Sequence, residues 1–372
     1  MLKVRCDRDE LAEACSAILS IVPTLQPLKP ILLNFHFFTQ GGRLFLEATD
    51  LDIGARIGLE RVEVLEDGAL ALPAQRFSSL VREVPQKEIV LEAEGEGASA
   101  AIVRAESFEF RLIGEDPGEF PALPTLNQEE ALSTPREKFL EMLRRVAIAA
   151  SRDPARYQLT GVFVEVDGDK MVMTATDGKR LTNDYIRIEN PSGFAKRGIV
   201  PNRAVDALLK VLPKGDMDFG FSMGESELHV AFGSGELTSK LIEGTYPDYK
   251  VAVSQKMEVK VTGKRTDFLA AARSAALMTD KETATVIFHF EEGRACMTTQ
   301  ARDIGESRIE IPISLQGEPI DIRFNPTYFI DALRCVLEEE IRLEFLDGAK
   351  PGSIRGSQHY RHMLMPLVVA TA

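Results

Sequence analysis

Three helix-like stretches of this chain are built to one plan: PAQRFSSLVREVP (73–85), PNRAVDALLKVLP (201–213) and NPTYFIDALRCVLE (325–338). Each sets a proline near its start, where a missing N–H costs nothing, and then places apolar residues at helical spacing. Pro73, Pro201 and Pro326 are separated by 128 and 125 residues, and Leu80, Leu208 and Leu333 keep the same separations. A period of that length means one unit used three times, which excludes most single-core folds at once.

Other landmarks keep step. Helix-like RDELAEACSAILSIV, PREKFLEMLRRVAIAAS and KRTDFLAAARSAALMT precede residues 23, 152 and 280, and each leads into an alternating strand pattern: ILLNFHFF, TGVFVEV and ATVIFHF. ATD at 48–50 recurs at 175–177, with TTQ at 298–300 in the third copy. Within each third the order helix, strands, helix, strands is itself a half-unit used twice. The expected fold is therefore α+β, with three similar, internally duplicated domains over 1–124, 125–253 and 254–372. Their limits fall at the polar stretches PTLNQEE (124–130) and VSQKME (253–258).

Composition permits this. With 372 residues, 44% of them hydrophobic, each domain can bury a core of its own. Apolar runs such as ILLNF and PLVVA are far shorter than the ~20 residues that span a bilayer. The opening MLKVRCDRDELAEA turns acidic and amphipathic at once, unlike a signal peptide. Cys6, Cys15, Cys296 and Cys335 have no CxxC spacing, which fits structural thiols in a reducing, cytoplasmic compartment.

Motifs that carry chemistry are scarce. TDGKRL (176–181) has one glycine before Lys-Arg, lacks the upstream glycine of a phosphate loop, and runs from strand to strand; EGEGASA (94–100) is acidic. Both are expected to be hairpin turns. His359 and His362 stand three apart without a nearby Cys or acidic partner, so they are expected to be structural or solvent-exposed. Asp50, Asp52 and Asp177 could hold a hard cation if they converged. Because Asp50 and Asp177 occupy equivalent places in the repeat, the simpler expectation is that each caps the same turn. No G-x-S-x-G stretch is present. Neither metal nor cofactor is expected.

Charge is the awkward fact. The chain carries a net −13, whereas nucleic-acid binders are usually basic. Its distribution is less hostile: the six helical segments sum to +3, leaving −16 elsewhere, with Arg144, Arg145 and Arg152 supplying much of the positive share.

Taken together, KPILLNFHF (29–37), EATDLDIGARI (47–57), LPAQRF (72–77), RYQLTGVFVE (156–165), TATDGKRL (174–181), SKLIEGTYPDYK (239–250), RFNPTYFIDAL (323–333) and MLMP (363–366) resemble the bacterial sliding clamps, the beta subunit of DNA polymerase III holoenzyme. The resemblance covers essentially the whole chain. It implies a homodimeric ring closed head to tail around double-stranded DNA, with helices facing the hole and sheets outside. Such a ring is a processivity factor, not an enzyme, and has no need of a membrane.

By match to the family, a hydrophobic groove binds a short linear peptide of the replicative DNA polymerase, the clamp loader and other motif-bearing partners. Its matched positions are Leu159, Thr176, Gly178, Lys179, Arg180, Leu181, Pro247, Met363, Met365 and Pro366. Arg180 is expected to meet a polar or acidic peptide group. Arg76, Arg152, Arg156, Tyr157 and Arg203 are the DNA-facing candidates, and Phe108 and Phe110 would meet Ala276 and Leu277 of the other subunit. Three places depart from the family. Gln26 stands where an Arg is common, Gln158 replaces a second Tyr beside Tyr157, and after Pro366 the chain runs LVVATA, longer and more apolar than the usual ending. The competing readings are a metal-dependent enzyme on nucleic acid or a phosphorylated substrate, using Asp50, Asp52 and Asp177, and a non-replicative scaffold of the same fold.

Overall fold

The computed structural model describes residues 2–124, 131–190, 193–212, 217–280, 284–356 and 359–367. The limit expected at 124–130 lies, from residue 125 on, outside the described residues, as does the tail from Val368.

Three copies of one order of elements follow each other. The first runs β1 (Lys3–Asp7), α1 (Arg8–Ile18), β2 (Asn34–Gln40), β3 (Arg43–Thr49), β4 (Ile53–Leu59), β5 (Val62–Glu66), β6 (Ala69–Pro73), α2 (Ala74–Glu83), β7 (Glu88–Glu94), β8 (Ala100–Ala105) and β9 (Phe108–Ile113). The second runs β10 (Leu132–Thr134), α3 (Arg136–Ala147), β11 (Gly161–Asp167), β12 (Lys170–Thr176), β13 (Arg180–Arg187), β14 (Lys196–Pro201), α4 (Asn202–Val211), β15 (Phe219–Met223), β16 (Glu227–Phe232) and β17 (Gly235–Lys240). After the single turn α5 (Lys250–Val253) come β18 (Val259–Lys264), α6 (Arg265–Ala276), β19 (Val286–Glu291), β20 (Arg294–Ala301), β21 (Gly305–Pro312), β22 (Ser314–Gln316), β23 (Ile320–Phe324), α7 (Pro326–Cys335), β24 (Glu340–Phe345), β25 (Gly352–Arg355) and β26 (Arg361–Leu364).

The repeated prolines sit where the expected helices begin. Pro73 and Pro201 are the residues just before α2 and α4, and Pro326 is the first residue of α7. Side-chain caps set two more starts: Asp7 accepts from the Glu10 amide at 2.9 Å before α1, and Asn325 from the Thr327 amide at 2.9 Å before α7. Each helix turns an apolar stripe inward; on α4 this is Ala204, Val205, Ala207, Leu208 and Val211.

The chain forms two compact units, Met1–Glu137 with Ile188–Ile242, and Lys138–Arg187 with Glu243–Ala372. The first holds a five-stranded sheet, β5-β1-β7-β8-β9, and an eight-stranded sheet, β10-β15-β16-β17-β4-β3-β2-β6. The second holds a four-stranded sheet, β21-β20-β19-β23, and the run β11-β12-β13-β26-β25-β24-β18-β22. Each unit thus contains a joint at which sheets of successive repeats become one. β17 of the second repeat pairs with β4 of the first, and β26 of the third pairs with β13 of the second.

Cores lie between the helices and these sheets. In the second unit Phe268 on α6 and Phe329 on α7 meet Phe288, Phe324 and Phe345 from the strands, all at most 2% exposed. In the first, Phe77 on α2 packs edge-on against Phe37 with ring centroids 5.0 Å apart. Each such ring contributes ~1.5–3 kcal/mol of burial. Strand pairing corrects one landmark. Tight hairpins close at Gln40/Arg43, Asp167/Lys170 and Glu291/Arg294, so ATD at 48–50 and 175–177 corresponds to Thr299–Ala301, not to TTQ at 298–300.

Candidate functional site

The turn at 177–179 is a hairpin turn between β12 and β13, as expected. Asp177 Oδ1 accepts from the amides of Lys179 (2.9 Å) and Arg180 (3.0 Å). Asp50 Oδ1 takes the amides of Asp52 (2.9 Å) and Ile53 (2.8 Å) in the same way, so the two aspartates cap equivalent turns. None of the three aspartates is a spare ligand: Asp50 also accepts from Arg203, Asp52 pairs with Lys240 at 2.9 Å, and Asp177 takes Arg180 Nε at 3.2 Å. Among the described residues no group of three or more His, Cys, Asp or Glu side chains could hold a metal ion.

Gly178 has φ +83°, and a Cβ there would lie 2.6 Å from Arg156 Nη1. That guanidinium donates to the Asp177 carbonyl at 2.6 Å, so turn and arginine are built as one piece. The turn also holds the segment after the final strand, where Met365 N donates to the Lys179 carbonyl at 2.9 Å; further on, Leu367 N donates to the Arg323 carbonyl of β23 at 2.8 Å.

Beside the turn lies an apolar cluster. Leu181 on β13, Met363 on β26 and Tyr249 pack together, with Phe163, Val253 and Met257 against them. Tyr246 stacks on Phe163 at 4.8 Å, and the Tyr249 hydroxyl donates to Glu165. Of the other expected lining residues, Met365 is 49% exposed, Pro247 and Lys179 are exposed, Leu159 and Thr176 are half-buried, and Pro366 is buried. All ten expected residues belong to the second unit. Phe163, Tyr246, Tyr249 and Met257 are additions to the expected set. YPDY contains both tyrosines, and aromatic residues flanking a proline in a linker are the signal that could have found them.

A cavity of about 350 Å³ adjoins the turn, lined among others by Arg152, Arg156, Lys179, Arg180 and Tyr328. Arg180 is held by partners within the chain. Its Nη1 donates to Asp331 Oδ2 at 2.9 Å, its Nε meets Asp177, and its guanidinium lies 4.6 Å from the centre of the Tyr328 ring. Two carboxylates thus fix the Arg180 guanidinium at the cavity wall, and Lys179 and Arg152 beside it are exposed.

Behind β13 and β26 runs a buried polar seam, which gives His362 the structural place that was one of its two expected ones. His362, fully buried, pairs through Nδ1 with Thr182 Oγ1 at 2.7 Å, and burial, helped by Arg180, holds its pKa down to about 3. Asp184 lies 3.4 Å from Arg145, yet burial outweighs that cation and raises its carboxyl to about 6. His359, by contrast, is exposed against Tyr185, with ring centroids 4.3 Å apart.

Of the remaining candidates, Arg76 on α2 is exposed, Tyr157 is 60% exposed, and Arg203 on α4 reaches both Asp50 and the Ile21 carbonyl. Phe108 and Phe110 stack at 6.2 Å and are 38% and 36% exposed, and Leu277 at the end of α6 is 79% exposed, with Ala276 half-buried. Burial pushes the Cys6 thiol up to about 12 and Cys335 to about 11, far from a nucleophile's range.

Fold and site define a protein built by repetition, with one order of elements used three times. The same fold is found in the DNA polymerase III beta subunit from Thermotoga maritima (TM-score 0.92, 23% identical, covering 100% of both chains) and in the DNA polymerase sliding clamp from Bacillus subtilis (TM-score 0.93, 23%, 99% of both). The beta sliding clamp of Chlamydia muridarum is 28% identical over 366 residues, 98% of this chain and 99% of that protein. Family models for the DNA polymerase III beta subunit match in succession: the N-terminal domain at 2–124, the central domain at 133–248 and the C-terminal domain at 252–368. The chain belongs to the DNA polymerase III beta subunit family. It is made of three clamp domains of α+β class and is not an enzyme.

Proposed function

We propose that two copies of this chain close head to tail into a ring that encircles duplex DNA and tethers the replicative polymerase to it. The observation that carries this reading is the succession of three clamp domains along the chain. Domain limits at 1–124, 125–253 and 254–372 belong to the proposal. So does an inner, DNA-facing role for Arg76, Arg152, Arg156, Tyr157 and Arg203.

Encirclement answers the charge problem. An open binder must hold phosphates through cations, and such sequence-independent binding is worth roughly 10⁻⁴–10⁻⁶ M at physiological salt. A chain of net −13 is poorly made for that. A closed ring is retained by linkage, so weak inner contacts suffice and sliding is cheap. A polymerase held by a tether rebinds at an effective concentration on the order of mM.

The apolar cluster around Leu181, Tyr249 and Met363 is the proposed seat for a short linear peptide carried by the polymerase, a clamp loader and other partners. Met adapts to varied apolar side chains, and the exposed Lys179 in the adjoining turn favours an acidic flank. No described helix is long and apolar enough to cross a membrane. Primer extension on singly primed circular template, with excess unprimed DNA as trap, tests the reading. Loaded protein should lengthen the products of its own polymerase several-fold, and unchanged lengths would refute tethering.

A further inference from the structure

Tyr249 belongs to the linker between the second and third repeats, yet it packs against Leu181 of β13 and Met363 of β26. A ring carried on a linker keeps its place only if something holds it. Its hydroxyl donates to Glu165, and Lys250, the next residue, sets its ammonium 3.5 Å from the same carboxylate. Two successive residues are thus drawn to one side chain of β11. Burial, with the Glu165 carboxylate beside it, raises the Tyr249 hydroxyl above its ordinary range, so it remains a neutral donor.

Register explains why Glu165 reaches that hydroxyl. Alternate residues of a strand share a face, so Glu165 lies on the face of Phe163, and Asn183 on that of Leu181. Phe163 is opposite Thr174 of β12, and Thr174 is opposite Asn183. Thr174, fully buried, lies beside the Tyr249 hydroxyl and takes a hydrogen bond from Asn183 Nδ2 at 2.8 Å. One face of the sheet therefore offers an apolar bed to the tyrosine rings and a polar edge to the one hydroxyl that needs it.

The first internal joint has the same linker without the tie. Phe120 stacks on His36 at 4.7 Å as Tyr246 does on Phe163 at 4.8 Å. Counting back from the hairpins at Gln40/Arg43 and Asp167/Lys170 makes His36 equivalent to Phe163 and Phe38 equivalent to Glu165. FPAL (120–123) thus corresponds to YPDY (246–249), and Leu123, which has no hydroxyl, stands in the place of Tyr249. There the linker residue has settled onto Gly54, the counterpart of Leu181, with Leu123 Cδ2 only 2.5 Å from the place a Cβ would take. Untied, the linker fills its own joint.

We propose that Glu165 is a positioning residue, anchoring Tyr249 through its hydroxyl so that the ring forms part of the floor of a peptide seat instead of collapsing across it. This rests on the seat proposed above and adds the residue that keeps it in shape. A floor fixed beforehand spares an incoming peptide the cost of ordering it. Glu165 acts through Tyr249 and has no need to touch the peptide.

Binding of its own replicative polymerase to the immobilised full chain, read by surface plasmon resonance beside calorimetric thermal midpoints, tests the role. Tyr249→Phe and Glu165→Leu should each weaken binding about tenfold. The double variant should bind no more weakly than either single one, because both remove the same tie. Glu165→Gln still offers an acceptor oxygen and should stay within about twofold of the parent. Midpoints that fall while affinities hold, or losses that add in the double variant, overturn the positioning role and leave the seat standing. If Glu165→Leu does not fold, Tyr249→Phe decides alone, since it removes one oxygen and keeps the ring; parental affinity there overturns the role. A parent chain that does not bind the polymerase overturns seat and positioning role together.

Discussion

Leu181 on β13 lies directly opposite Met363 on β26, and with Tyr249 they form the buried floor of the apolar cluster. The same cross-strand position at the first internal joint is held by Gly54 and Thr238. There the space belongs to the chain itself: a Cβ on Gly54 would fall 2.5 Å from Leu123 Cδ2. The fold supplies two equivalent joints, and side chains make one of them an apolar seat and the other a polar, self-filled one, where Asp52 and Lys240 pair.

The first prediction concerns that seat. Met365 is half-exposed at its margin, so Met365→Ala should leave the thermal midpoint within a degree or two while weakening binding of an apolar-ended peptide about tenfold, ~1.4 kcal/mol. Fluorescence anisotropy with a labelled peptide checks it, and an unchanged affinity removes Met365 from the site.

The second contrasts two equivalent turns. Gly178→Ala meets both a φ of +83° and the Arg156 guanidinium, and should cost ~1–2 kcal/mol of stability in urea titration. Leu51, in the corresponding turn at φ +78°, already bears that strain, so Leu51→Gly should cost nothing. Equal losses at both positions would contradict the assignment of strain.

The third follows from His362. Its pKa falls from an ordinary 6.5 to about 3, so between those values the unfolded chain binds more protons than the folded one. Stability is fully present above pH 6.5 and lost as pH falls toward 3, at up to ~1.4 kcal/mol per pH unit from this group. His362→Gln should flatten that loss when urea midpoints at pH 7 and pH 4.5 are compared, whatever its effect at pH 7.

Asp184 gives the opposite sign. Burial raises its pKa from 3.8 to about 6, so here the folded state binds the extra proton. The group costs stability above pH 6 and relieves that cost as pH falls from 6 toward 3.8. Asp184→Asn should therefore lose less stability than the parent on going from pH 5 to pH 7. A steeper loss would mean that the Arg145 contact, not burial, dominates.

These two residues also mark where sequence reading stops. Helix starts, the triplicate order and both capped turns are legible because prolines, Asx caps and periodicity act over a few residues. The buried seam is not, since Asp184 and Arg145 are 39 residues apart and His362 and Thr182 are 180 apart. The hold on Arg180 is hidden for the same reason, since its partner Asp331 on α7 lies 151 residues away. The third copy of the turn lies one residue later than its letters suggest. TTQ resembles ATD in composition, whereas hairpin pairing sets the true position at Thr299–Ala301.

The central claim is that this acidic chain holds DNA by enclosing it. Load the protein onto a nicked circular duplex, wash at rising salt, then cut the circle once and measure what remains bound. Enclosure predicts retention on the circle through high salt and rapid loss from the linear form. Equal, salt-driven loss from circle and line would contradict it.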